Sequence, residues 1–381
     1  MKLENNMNIF YCHGIIPVLL SGALIKKKYA NNRNAIIIEL ANTKPLFIPF
    51  SGESRYEYKI LELIVECSQW DEVNKISFIN YLLAFRYFPG LFSSFPIATI
   101  RFIKNKNKVL RDVKKILKKL SQSDKLIISD NSILTKFFVK KYPDAYFLEH
   151  GAASYRSGLQ DKNWKYYTKK VLSKLTGVSF NIKIKSIYLS DNKQSARSGE
   201  FSKSQQGIVP LSHDLSTEIR AIYSKFISKL EQRYPLAFQE LSEIKRRYKN
   251  DNLYFYLPTG IISHDEYKAY LENQLKHIPD KDAIFIIKPH GNDSNRDYCS
   301  YFKALGQKSQ VFDNKINAFI PIEFLNLFFE ESTILSSYST AHLYAKWWLN
   351  KETIFAEVKD SPGNEELMRE YRSVYSDMQN L

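Results

Sequence analysis

The stretch Ile284-Phe285-Ile286-Ile287-Lys288-Pro289-His290-Gly291-Asn292-Asp293 decides the fold. Its four leading apolar residues have the pattern of a strand buried on both faces, as in a parallel sheet. The strand runs straight into Lys288, Pro289, His290 and Gly291. In open α/β sheets, ligands bind just beyond the carboxyl ends of strands. A His set there by a proline and freed by a glycine is placed for proton transfer or for holding an anion. The alternative is a polar loop whose His caps a helix or meets water. Against it stands the company: other strands of this chain end in loops of the same kind.

Working outward, strand and helix patterns alternate on both sides. In the second half a long amphipathic region, Leu215–Tyr248, precedes a strand at Leu253–Leu257 that ends in Pro258-Thr259-Gly260. A helix near Asp265–His277 leads to the opening strand. Beyond it, Val311-Phe312 is short, and Pro321-Ile322-Glu323 opens the helix Phe324–Phe328. Thr333–Leu335 is a strand ending in Ser336-Ser337-Tyr338-Ser339-Thr340, followed by a helix over Ala341–Leu349 and a strand at Thr353–Ala356. In the first half, Ile9–Cys12 is a strand, Pro17–Tyr29 a helix with proline in its first turn, and Ala35–Leu40 a second strand. This spacing predicts a βαβ unit. The loop His13-Gly14 lacks the GxGxxG of a dinucleotide fingerprint. Glu53–Phe102 is aromatic and ambiguous, with helices expected around Phe88–Pro96. Leu126–Ser129 is a strand followed by a helix capped by Asp130-Asn131-Ser132, and Ala145–Leu148 a strand ending in Glu149-His150-Gly151. Ser186–Leu189 is expected to close the first sheet. Ser190–Gln206 has the composition of an interdomain linker, and Glu365–Met378 that of a terminal helix.

The 381 residues suffice for two domains. At 44% hydrophobic the chain can build sizeable cores. Lys and Arg number 55 against 40 Asp and Glu, a net +15. That excess favours a polyanionic partner or an anionic membrane surface. No zinc-finger, RNA-recognition or helix-turn-helix signature accompanies it. Cys12, Cys67 and Cys299 have neither metal-ligand nor disulfide-framework spacing, which fits a reducing cytoplasm. Ile9–Ile25 is shorter than the roughly 20 apolar residues of a membrane span. It is broken by His13, Gly14 and Pro17, and its lysines follow it, the reverse of a signal peptide.

Three strand ends carry chemistry. Glu149, followed by His150-Gly151, is a carboxylate that can act as a general base, or a turn acid at a helix N-terminus. Lys288 and His290 can hold a phosphate and protonate it as it leaves. The hydroxyl run Ser336, Ser337, Ser339, Thr340 stands between a strand and a helix, where backbone N–H groups bind phosphate; a plain helix cap is the alternative. Gly260 lets a ligand approach the backbone, and Glu323 can accept hydrogen bonds from ribose hydroxyls. Asp280-Lys281-Asp282 is a DxD by letter, but it precedes its strand, so it is taken as a turn and not as a metal–diphosphate site.

The order Glu-x-Gly, Lys-x-His, Pro-x-Glu, Ser-Ser, together with the opening strand-turn-helix around Cys12–Leu24, resembles the bacterial polysialyltransferase and lipooligosaccharide sialyltransferase families. The resemblance implies a GT-B type α/β fold with two Rossmann-like domains facing a central cleft. Residues 1–200 would form the acceptor domain and 201–364 the domain that binds the CMP-sugar, with a helix over 365–381 packing back on the first. It implies a metal-independent, inverting transfer of sialic acid from CMP-sialic acid to a sialylated acceptor, with no cofactor beyond the donor. By the same resemblance Glu149 is the general base, and His290 stabilises or protonates the departing phosphate. Ser336 and Ser337 bind that phosphate, Glu323 holds the ribose and Gly260 lies beside the nucleotide. Two positions depart from the pattern: His150 stands at the second acidic position, and Gly291 follows His290, with the proline before it.

The function expected is elongation of α2,8-linked capsular polysialic acid, by an enzyme on the cytoplasmic face of the inner membrane in contact with capsule assembly proteins. The basic stretches 101–119 and 162–185 are candidates for holding the anionic acceptor or the membrane; nucleic acid is not an expected partner. The alternatives are a transferase adding one sialic or other nonulosonic acid to a lipooligosaccharide or capsule glycan, a GT-B transferase using a nucleotide-diphosphate sugar, and a basic non-catalytic protein that binds glycans or nucleic acid.

Overall fold

A computed structural model of the chain describes residues 7–42, 52–79, 111–121, 124–129, 138, 141–142, 145–148, 184–189, 208–210, 215–249, 251–258, 264–276, 278, 280, 282–289, 297–336 and 339–355. Two compact units make up the chain.

The first is built on β1 (Met7–His13), α1 (Ile15–Lys28), β2 (Arg33–Asn42), α2 (Gly52–Cys67), β3 (Glu72–Ile79), β4 (Lys125–Ile128), β5 (Ala145–Leu148), β6 (Ile184–Leu189) and β7 (Ile208–Pro210). The strands lie in one sheet, in the order β3-β2-β1-β4-β5-β6-β7. Every neighbouring pair is parallel. Ile9, Phe10 and Tyr11 of β1 and Ile36, Ile37 and Ile38 of β2 are wholly buried, as strands covered on both faces must be. Gly14 enters α1 at φ 87°, in the left-handed region where glycine is at ease. Pro17 to Ile25 are then all buried, and Lys26, Lys27 and Lys28 fill the last turn, where cations suit the exposed carbonyls. The apolar run Ile9–Ile25 is thus strand, turn and helix. Residues 111–119 are helical: Val113, Ile116 and Leu120 face inward, while Arg111, Lys114, Lys115, Lys118 and Lys119 are exposed.

The second unit holds α3 (Ser216–Arg233), α4 (Pro235–Arg247), β8 (Leu253–Leu257), α5 (His264–Leu275), β9 (Ile284–Ile287), α6 (Tyr298–Ala304), β10 (Lys308–Val311), α7 (Lys315–Phe319), α8 (Ile322–Phe328), β11 (Thr333–Ser336), α9 (Thr340–Leu349) and β12 (Thr353–Phe355). Its sheet runs β10-β9-β8-β11-β12, again all parallel. All four residues of β9 are buried. On one face, Phe285 and Ile287 join Tyr256, Tyr267, Leu271, Tyr298, Phe302 and Leu335 in a core. On α3, Ile219, Ile222, Phe226 and Leu230 form the buried stripe of an amphipathic helix, and Phe226 meets Phe324 of α8 at a ring-centroid distance of 4.9 Å.

Each sheet starts at an inner strand, grows to one side, then crosses to the other. The switch points fall between β1 and β4 and between β8 and β11, as in doubly wound nucleotide-binding folds. Two such parallel-sheet α/β units in one chain fit a GT-B type fold.

Several local expectations are corrected. The amphipathic region 215–248 is helical as two helices, broken at Tyr234 with Pro235 at the first position of α4, where its missing N–H costs nothing. Residues 72–79, within the ambiguous stretch 53–102, are the edge strand β3. Its only fully buried side chain among those described is Ile76, so its alternation is faint. Ser186–Leu189 does not close the first sheet, because β7 pairs with β6, and the first unit extends past the boundary expected after residue 200. Residues 88–96, 131–132, 162–183, 190–206 and 356–381 lie outside the described residues, and with them the expected linker and terminal helix. Among the described residues, no helix is long and apolar enough to cross a membrane.

Candidate functional site

The carboxyl edge of the second sheet gathers the described site residues. Across the parallel ladder Ser336, the last residue of β11, is paired with Leu257, the last of β8. Ile287, the last of β9, is paired with Tyr256, and the backbone N–H of Lys288 donates to the Tyr256 carbonyl at 3.0 Å. Three strands therefore end level beside the switch point, at the edge where open α/β sheets bind their ligands. Ser336 is fully buried. Ser339 stands at the N-cap of α9 with extended backbone, but its side chain makes no capping hydrogen bond.

Glu323 is the second residue of α8, a helix buried from Ile322 to Leu327. Its side chain is 0% exposed, and among the described residues neither carboxylate oxygen has a hydrogen-bond partner in another side chain or backbone. Burial pushes its carboxyl up to about 7, against the pull of its own backbone N–H and of the Lys288 ammonium. A buried, unpartnered acid is costly. It is retained here at the end of the sheet where Lys288 leaves β9. Lys288 is half-buried, and its Nζ donates to the carbonyl of Ala318 in α7 at 2.5 Å.

Lys288, Glu323, Ser336 and Ser339 thus belong to one end of one unit. The other expected site residues, Glu149, Gly260, His290 and Ser337, lie outside the described residues. In sequence Glu149 directly follows β5, and Ser337 directly follows β11. Asp280 and Asp282 precede β9, and Asp280 accepts from Asn252 Nδ2 at 2.5 Å and from the Asp282 N–H at 2.8 Å. That is the amino edge of the sheet, away from Ser336. Among the described residues, no group of three or more His, Cys, Asp or Glu could hold a metal ion.

In the first unit, Tyr11 donates to Glu39 Oε2 at 2.5 Å, both residues being buried near the carboxyl ends of β1 and β2. The Ser129 N–H and hydroxyl both donate to the Tyr11 carbonyl, at 3.0 and 3.2 Å. Glu39 was within reach of the sequence, as the lone acid in the otherwise apolar run Ala35–Leu40 of β2.

No protein-family model matches the sequence, and no curated protein matches it. Solved structures align with it over nearly its whole length at low identity. A UDP-N-acetylglucosamine 2-epimerase from Rickettsia bellii is 11% identical, covering 97% of this chain and 88% of that one, with a TM-score of 0.48. The wall teichoic acid polymerase TagF with CDPG is 11% identical over 99% of this chain and 81% of that one, at 0.40. A trehalose-6-phosphate structure from E. coli bound with UDP-2-fluoro glucose is 11% identical over 98% and 95%, at 0.42. Likeness of this degree assigns no activity to the chain.

Proposed function

We propose that the protein is an inverting glycosyltransferase that moves sialic acid from CMP-sialic acid onto a sialylated acceptor, elongating α2,8-linked capsular polysialic acid. The observation that carries the reading is the buried, unpartnered carboxylate of Glu323, set beside Lys288 at the same sheet edge as Ser336. A nucleotide bound there meets an acid for its ribose hydroxyls and hydroxyl groups for its phosphate. The order of motifs along the chain supports the same donor.

In this reading the C-terminal domain holds CMP. Ser336, Ser337, Ser339 and the N-terminus of α9 take the phosphate, Glu323 takes the ribose, Gly260 lies beside the nucleotide, and Lys288 adds positive charge. Sialic acid leaves through an oxocarbenium-like transition state while negative charge grows on the CMP phosphate. His290 and the hydroxyl loop stabilise that charge, a contribution of about 3–4 kcal/mol for one well-placed donor. Glu149 removes the proton from the acceptor hydroxyl, worth roughly 10²–10⁴-fold in rate. Attack from the face opposite the leaving group inverts the anomeric centre. No metal is needed, since the leaving group is a monophosphate. The acceptor chain, with a carboxylate on each sugar, runs along basic stretches of 101–119 and 162–185. The enzyme works at the cytoplasmic face of the inner membrane beside capsule assembly proteins.

The test is CMP release from CMP-sialic acid, with and without a fluorescent oligosialic acceptor, with products resolved by length. A ladder of longer products is expected. A single added sugar would replace polymerisation with single addition, and turnover only with other nonulosonic donors would change the donor. Binding of UDP or GDP in preference to CMP would overturn the donor reading.

A further inference from the structure

The segment that carries Glu323 is gripped at both ends by one helix. At its start, Glu240 of α4 accepts from the Asp313 N–H at 2.6 Å, from the Asn314 N–H at 3.2 Å and from Asn317 Nδ2 at 2.5 Å. Asn317 also donates to the Ala237 carbonyl at 2.9 Å. Asn314 caps α7 with its own side chain, accepting from the Ile316 N–H at 3.0 Å. At the far end of the segment, Lys245 of the same α4 donates to the Phe328 carbonyl, the last of α8, at 2.7 Å. The acid sits at a helix start and the cation at a helix end, the signs that the peptide dipoles favour. Between the two grips lie the Ala318 carbonyl, held by Lys288, and the Glu323 carboxylate.

None of these contacts is needed to bury apolar surface. Ala237, Leu241 and Ile244 already fix α4 on the core. Glu240 spends its carboxylate on three donors that belong to a segment more than seventy residues away in sequence. Its effect is to set where α7 starts, hence where Ala318 meets Lys288 and where α8 presents Glu323.

We infer that Glu240 is a positioning residue for the nucleotide end of the second unit, acting through α7 and the Lys288–Ala318 contact on Glu323. The inference rests on the reading of Glu323 as a nucleotide-binding acid. Glu240 itself touches no substrate.

The experiment uses the full chain with Glu240→Gln, Glu240→Ala and Lys245→Met. Backbone amide exchange across residues 313–328 is read beside calorimetric binding of CMP, with UDP as a second probe. In the Glu240 variants exchange should quicken through Ile316–Leu325. Nucleotide affinity should fall roughly 2- to 30-fold, the range for residues that tune a site without touching its ligand, with Glu240→Gln milder than Glu240→Ala. Lys245→Met, which frees the carbonyl end of α8 and ends the contacts of Lys245 with Glu330 and the Phe328 ring, should quicken exchange near Phe328 and leave affinity nearly unchanged. Unchanged affinity in the Glu240 variants, or faster exchange confined to Asp313 and Asn314, overturns the inference. If the wild-type chain binds UDP and not CMP, the donor reading fails while the role of Glu240 is decided by UDP affinity in the same variants. If it binds neither nucleotide, the role of Glu240 falls too.

Discussion

Ser336 and Leu257 face each other across the parallel ladder of β11 and β8, each the last residue of its strand. The pairing puts Ser336 at the switch point of the sheet, and it bears on what removal of each serine should do. Ser336→Ala is expected to lower kcat/KM for the donor by about 10²–10³, as for other lost donors to a developing anion. Ser339→Ala should lower it too, without the loss of about 1 kcal/mol that removal of a working helix cap brings, because the Ser339 side chain does not cap α9. Steady-state kinetics beside urea unfolding separates the two effects. Unaltered kinetics in both variants would take the hydroxyl loop out of phosphate binding.

Glu323 makes stability depend on pH. Its carboxyl is raised from 4.5 to about 7 by burial, so the folded chain holds a proton that the unfolded chain releases. A raised folded pKa stabilises at pH below the unfolded value, and that stability is lost as pH rises through the folded value. Between about pH 4.5 and 7 the group should therefore remove about 3 kcal/mol of stability by linkage. Glu323→Gln keeps the shape and cannot ionise. The difference in unfolding free energy between the two proteins should be small at pH 4 and favour the variant at pH 8. A difference that does not vary with pH would mean that the carboxyl titrates normally.

Lys288 holds that carboxyl down, and a bound ribose should hold it down further, since hydroxyl donors favour the charged form. CMP binding near pH 7 should then release a proton. Calorimetry in buffers of different ionisation enthalpy reads the release directly, and it should disappear in Glu323→Gln. Proton uptake on binding would show that the acid acts as a donor in its neutral form.

Lys288→Met removes both the charge near Glu323 and the hydrogen bond to the Ala318 carbonyl. A hydrogen bond to a charged group is typically worth about 1.5–3 kcal/mol, which is the expected loss of stability by urea unfolding. The titration of Glu323 should move upward, since Lys288 lowers it. A variant as stable as wild type, with the carboxyl unmoved, would mean that Lys288 is spent on the ligand alone.

The sequence displayed the parts whose chemistry is local. β5, β8 and β9 are short apolar runs closed by Pro, Gly or acidic residues, and burial on both faces leaves them little other reading. Of the edge strands, β12 was legible, but β7 and β10 were hidden for the opposite reason: Lys308, Ser309 and Gln310 of β10 are partly or fully exposed, and β7 is three residues long. Glu323 was legible as an acid opening a helix, but its isolation was not, because that depends on Tyr223, Phe226 and the rest of the packing around α8. Glu240 carried no local signal at all: its partners lie in a segment that only folding brings to α4.

The helix over 111–119 shows what the net positive charge does and does not do. Val113, Ile116 and Leu120 are buried, so its attachment to the first unit is apolar; Arg111, Lys114, Lys115, Lys118 and Lys119 point outward. Exposed charges contribute little to stability, commonly about 0–1 kcal/mol per ion pair. Replacing Lys114, Lys115, Lys118 and Lys119 with Glu should therefore leave the unfolding midpoint nearly in place. If the face holds an anionic acceptor, KM for an oligosialic chain should rise with the length of the chain and the salt dependence of KM should flatten, with donor affinity unchanged. If it holds a bilayer, KM for the soluble acceptor should stay constant while sedimentation with vesicles of anionic lipid falls, each cation near such a surface being worth about 1 kcal/mol. Neither change would leave these lysines as a solvated face. Ile116→Asp serves as the contrast: it should unfold the helix from its sheet and lower the midpoint, whichever partner the lysines meet.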